Sequence, residues 1–143
     1  MTVIAKSPAE ELFQLTTDQW TKPWWDAAKA RRLTAACCGN CRKFRMPPTP
    51  FCPHCRSQEL EWPTLSGRGT LFSFTIVNRA IIPEMESCLP YVPALVDLEG
   101  APGARLITNI VQTPIDRIAI GAPVEVVFDE RRDGVVVPRF KVV

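Results

Sequence analysis

The sequence predicts a mainly β fold with a helical segment in front and a small metal-tied module between, and three observations carry that prediction. Four of the six cysteines fall in two C-x-x-C pairs, Cys38/Cys41 and Cys52/Cys55. Beyond residue 63 the apolar residues run in period-2 or continuous stretches bounded by turn residues, the pattern of strands. Before residue 35 they recur at helical spacing. The 143 residues therefore divide into an N-terminal helical segment (1–35), a zinc ribbon (36–62) and a barrel (63–143).

In the first segment, "SPAE" at residues 7–10 has the form of a capping box, with Pro8 at the first helical position where its missing N–H costs nothing. A second helix is expected to start near Thr21 to Pro23 and to run through "WWDAAKARRL", stacking Trp24, Ala28 and the residues near Arg31 and Arg32. Trp20, Trp24 and Trp25 load this short segment with aromatic area. It cannot bury three indoles against itself, so they pack on the rest of the chain or form an interface with a partner.

The middle segment holds the strongest chemical signal. A two-residue gap lets a tight turn aim both thiolates of a pair at one ion, and two pairs give four tetrahedral sulfurs, which suit a structural zinc. Cys38, Cys41, Cys52 and Cys55 are the expected Zn2+ ligands; iron is chemically possible, but zinc is the better match. The prolines of "MPPTPF" between the pairs limit the entropy lost on closure. Cys37 is left as a spare thiol, His54 as a solvent-facing turn residue and Cys88 as a plain apolar side chain. A closed four-sulfur site has no open position for water or substrate. The only histidine lies beside it, and neither a nucleophile elbow nor a glycine-rich phosphate loop occurs. The chain by itself is expected not to be an enzyme.

Five strands are expected in the last segment, at residues 69–79, 92–99, 104–112, 123–130 and 135–143, with "EGAPGA" and "RRDG" as tight turns. "TPIDRIAIGA" leaves room for one helical turn, ending near Gly121, between the third and fourth strands. That order is the one expected of an OB-fold barrel. In the first strand Phe72, Phe74 and Ile76 alternate with Leu71, Ser73, Thr75 and Val77, which assigns the phenylalanines to the inward face.

Composition narrows the function. With 46% hydrophobic residues and a net charge of +2 the chain reads as globular. No apolar run reaches the roughly 20 residues that span a bilayer, and the first residues lack a signal-peptide pattern, so a cytoplasmic protein with reduced thiols is expected. Lys29, Arg31, Arg32, Arg42, Lys43, Arg45 and Arg56 lie in a stretch, 27–58, without Asp or Glu, so an anion is drawn to the first half. The barrel carries a slight acidic excess, which disfavours a single-strand nucleic-acid groove even though OB folds often have one.

Four stretches, "WWDAAKARRLTAACCGNC", "PPTPFCPHC", "EWPTLSGRGTLFSFTIVNRA" and "IGAPVEVVFDE", occur in the order of a known family. From about Trp20 onward the chain resembles the domain-of-unknown-function family that pairs a rubredoxin-like zinc ribbon with an OB-fold and is associated with acyl-CoA. The resemblance implies a non-catalytic partner of a thiolase-like enzyme, or of a thiolase-fold aldolase, that helps hold the acyl-CoA. It implies the same four cysteines as zinc ligands; the doubled Cys37–Cys38 departs from its usual pattern. A CoA site is expected near Arg79, Tyr91 and Pro93, and a partner interface at Trp20, Trp24 and Trp25. The alternatives are a free-standing acyl-CoA or lipid carrier and, behind it, the nucleic-acid binder.

Overall fold

Leu71, Val92, Val96, Ile110, Val124 and Phe140 are almost wholly buried, one or more from each of five strands, and they form the centre of a closed barrel. The computed structural model describes residues 2–143. Its barrel strands are β4 (Arg68–Phe74), β5 (Val92–Leu98), β6 (Arg105–Ile110), β7 (Pro123–Glu130) and β8 (Val136–Val142). They close in the order β4-β5-β6-β8-β7, antiparallel except for β6 and β8, which run parallel with Ile110 opposite Phe140. This is the OB-fold barrel, with a 3-10 turn (Ile115–Arg117) between its third and fourth strands. Gly69 is required where β4 crosses β5: a Cβ there would lie 2.5 Å from the Asp97 carbonyl oxygen.

The inward assignment of Phe72 fails. The β4–β5 register shifts between Leu71 and Ser73, and an extra residue at a bulge reverses the alternation of everything before it. Leu71 therefore points into the barrel and Phe72 out of it, 40% exposed, while Phe74 and Ile76 beyond the bulge pack on the core. The ladder continues past β4 through the bridge of Val77 with Tyr91. A 3-10 turn not foreseen in the sequence, Pro83–Cys88, fills the loop before β5.

The N-terminal segment is less helical than its pattern suggests. Residues 3–6 lie extended along the barrel: the Ala5 N–H donates to the Thr113 carbonyl and the Lys6 N–H to that of Pro90, both at 2.9 Å. Ser7 does not cap a helix; its hydroxyl donates to Asp129 Oδ2 at 2.8 Å. Only a 3-10 turn, Glu10–Leu12, follows. Bonds to the barrel replace the local box, because residues 3–6 gain several backbone partners against the roughly 1 kcal/mol of a cap.

The second helix, α1 (Lys22–Lys29), is present but shorter than expected. Asp18 Oδ1 accepts from the N–H groups of Trp20 and Thr21, both at 2.9 Å, and sets its start. Donation from Thr21 first, then Trp20, holds the Asp18 carboxyl below its usual range. Arg31, at φ 61°, ends the helix, and the Arg32 N–H reaches back to the Ala27 carbonyl as in a Schellman turn. Between helix and barrel lies the ribbon, a three-stranded sheet in the order β2-β1-β3 from β1 (Ala36–Cys38), β2 (Phe44–Arg45) and β3 (Leu60–Glu61). No helix among the described residues is long and apolar enough to cross a membrane.

Candidate metal centre and the clefts beside it

The two knuckles converge: the sulfurs of Cys38, Cys41, Cys52 and Cys55 all lie within 4.8 Å of one another. Cys38 and Cys55 stand 3.5 Å apart and Cys41 and Cys52 3.6 Å. Tetrahedral zinc with sulfur at about 2.3 Å asks for sulfurs roughly 3.8 Å apart, so the set fits that ion with small adjustment. The first cysteine of each knuckle accepts backbone N–H groups. Asn40 and Cys41 donate to Cys38 Sγ at 3.4 and 3.5 Å, and His54 donates to Cys52 Sγ at 3.4 Å. Donation from Cys41, against the opposing effect of burial, brings the Cys38 thiol down to about 6. At Cys52 burial opposes ionisation, yet donation from Cys55 and His54 outweighs it and the thiol is lowered. A lowered thiol favours the thiolate, the form that binds metal. With four sulfurs and no open position, the centre is a structural zinc site.

The neighbours of the cluster stand outside it. Cys37 is buried on the other face of β1, its thiol donating to the Arg42 carbonyl at 3.4 Å. His54 is exposed and serves the cluster through its backbone, while Cys88 is half-buried far from it in the Pro83–Cys88 turn.

The three indoles divide. Trp24 is 8% exposed, and its Nε1 donates to the Thr34 carbonyl at 3.1 Å, tying α1 to the strand that enters the ribbon. Trp25 meets it edge-on, ring centroids 4.7 Å apart, and Trp25 and Trp20 remain half-exposed. Of the basic stretch, Arg31 pairs with Glu130, Arg42 with Glu61, and Arg45 is 6% exposed in β2. Lys29, Arg32, Lys43 and Arg56 stay exposed without an ion pair among the described residues. Tyr91 and Pro93 lie on the β5 ladder, Tyr91 bridged to both Val77 and Lys6 and Pro93 opposite Asn109; Arg79 is exposed in the loop after Val77. These three do not line either of the clefts described next.

One cleft, about 250 Å³, opens where all three parts meet, walled by Trp24 and Trp25 of α1 and by Met46 to Pro48 of the ribbon, and floored by the outer faces of β6 and β8. A second, about 310 Å³, lies between Trp25 and the N-terminal segment. Trp25, Asn109 and Val137 line both. At the rim of the first, Ile107 is 75% exposed, and Arg105 stacks 3.6 Å from the Phe72 ring centroid while pairing with Asp97 at 2.8 Å. The sequence reading missed Asn109 and Arg139. Their only signal was a polar residue within an apolar strand run, Asn109 next to Thr108 in "LITNIV" and Arg139 two before Lys141 in "VVPRFKV", which could equally face solvent.

Comparison with known proteins agrees with this architecture. The description "ChsH2, rubredoxin-like zinc ribbon domain" matches residues 25–61, and "ChsH2, C-terminal OB-fold domain" matches residues 62–129. The chain is 38% identical over 118 residues to a probable enoyl-CoA hydratase alpha subunit of Thermomonospora curvata, covering 82% of this chain but spanning only 36% of that protein. It is 35% identical over 125 residues to a DUF35 domain-containing scaffold protein of Methanothermobacter thermautotrophicus, covering 84% of this chain and 92% of that one. Among solved structures it superimposes on a chain of the Ltp2-ChsH2(DUF35) aldolase with a TM-score of 0.79 and 34% identity, over 90% of this chain and 98% of that one. With its cysteine centre, its closed barrel and these near full-length relatives, the chain belongs to the DUF35 family.

Proposed function

We propose that this protein is a non-catalytic accessory subunit that binds a thiolase-like or thiolase-fold enzyme and helps to hold its acyl-CoA substrate. The observation that carries the reading is the match over 98% of a chain from the Ltp2-ChsH2(DUF35) aldolase, a complex whose name joins a DUF35 component to another. The relatives named as scaffold proteins agree with a supporting role, and those named as hydratase subunits agree with acyl-CoA chemistry in the partner. Within this chain, the closed sulfur set leaves zinc no catalytic position. The half-exposed Trp25 and Trp20, with the exposed Phe72 and Ile107, offer apolar anchors of the kind that hold interfaces together, whereas Trp24 faces inward. Lys29, Arg32, Lys43 and Arg56 supply cations suited to the phosphates of CoA, and Arg79, Tyr91 and Pro93 remain the proposed rim of its site.

The test is co-purification of the tagged protein from its native extract, with and without added acyl-CoA. A thiolase-fold enzyme is expected in near-equal amount, and Trp25→Ala should reduce its recovery at least tenfold while zinc content is unchanged. Recovery of nucleic acid alone, or turnover of an acyl-thioester by the isolated chain, would overturn the reading.

A further inference from the structure

The polar group at the waist shared by the two clefts is built with more care than an outer barrel surface needs. Arg139 on β8 is 8% exposed. Its Nε donates to Asp129 Oδ2 at 2.8 Å and its Nη1 to Asn109 Oδ1 at 2.7 Å. Ser7 donates to the same Asp129 oxygen at 2.8 Å, so the N-terminal segment locks the array from above. Because a guanidinium only donates, it fixes the oxygen of Asn109 toward itself and turns the amide nitrogen away. Asn109 Nδ2 and Arg139 Nη2 have no hydrogen-bond partner among the described residues, and neither is among the buried unpaired atoms. Two oriented donors thus stay accessible beside an apolar trench formed by Trp25, Met46, Pro47 and Val137.

We infer that this waist is a binding site for an apolar ligand carrying a neutral carbonyl acceptor. Charge complementarity sets the class. Asp129 balances Arg139, so the site presents donors with little net positive charge and favours a neutral carbonyl over a carboxylate. The apolar body of the ligand lies along Trp25 toward Met46 and Pro47, and its carbonyl accepts from Asn109 Nδ2. The inference concerns the isolated chain: Trp25 and Ile107 of this cleft are also anchors of the proposed partner interface, so ligand and partner enzyme would compete for them.

Decanamide and decanoate are the probes, titrated into the zinc-loaded full chain and followed by NMR. Decanamide should give saturable shifts centred on the Trp25 indole N–H and the Asn109 side-chain amide, with at least tenfold higher affinity than decanoate. Asn109→Asp retains an acceptor for Arg139 but exchanges the amide donor for a charged carboxylate oxygen, so it should weaken decanamide about tenfold. Asn109→Leu should weaken it at least as much. Equal or tighter binding of decanoate, shifts scattered over the surface, or unchanged affinity in a folded variant would overturn the assignment.

Discussion

Between Ala36 and Glu61 the chain forms strands of three, two and two residues, whereas between Arg68 and Val142 it forms five strands of six to eight. The largest buried side chains of the barrel are Phe140, Leu71 and Ile110; the residues buried within the ribbon strands and knuckles are Ala36, Cys37, Cys38, Arg45 and Cys52. Apolar burial at about 25 cal/mol per Å² holds the barrel together, but the ribbon has too little of it to order its loops. Its centre is the sulfur cluster, so the two regions should respond to different insults.

Metal removal tests the comparison most severely. Zinc binding to small ribbons is worth roughly 10 to 16 kcal/mol, most of it folding free energy. A chelator should therefore collapse protection of the Cys38 and Glu61 amides in hydrogen exchange while those of Val96 and Phe140 stay protected. If the barrel amides lose protection at the same chelator concentration, the two regions form one cooperative unit and the contrast fails. The complementary experiment is Phe140→Ala, which empties the middle of the barrel where β6 and β8 run parallel. A destabilisation of about 3 to 5 kcal/mol in urea is expected, with one zinc per chain retained below the transition. A loss below about 1.5 kcal/mol would mean that the barrel collapses around the gap or is held from outside.

The same contrast explains what could be read from the sequence. Each C-x-x-C pair is set by local geometry, so the four cysteines that converge in the structure were legible as a set in the sequence. The barrel was legible as five successive strands, since each carries its own alternating or continuous apolar run. Phe72 was misplaced because a bulge is a defect of pairing between β4 and β5, and the partner strand does not appear in the pattern of either one. Ser7 was misread for a related reason: its capping signal is local, and its actual acceptor, Asp129, is 122 residues away. The waist of Asn109 and Arg139 is assembled from β6, β7, β8 and the N-terminal segment, so no single stretch could have announced it.

Trp24 stands where the two regions meet, and the smallest of the predicted effects would sharpen how they are joined. Its ring packs with the barrel core, and its Nε1 holds the Thr34 carbonyl just before β1, beside the bridge between Thr34 and Thr64. Trp24→Phe keeps an aromatic ring but removes the donor, leaving a buried carbonyl unpaired at a cost of about 1 to 3 kcal/mol. If the tryptophan is a hinge pin between regions with separate stabilities, the variant should lower the melting temperature modestly and raise exchange at Thr34 and Ala35, with zinc content and the protection of Phe140 unchanged. Raised exchange throughout the barrel would instead make Trp24 part of the barrel's cooperative unit, and α1 would then be a sixth wall of the barrel and not the joint that carries the ribbon.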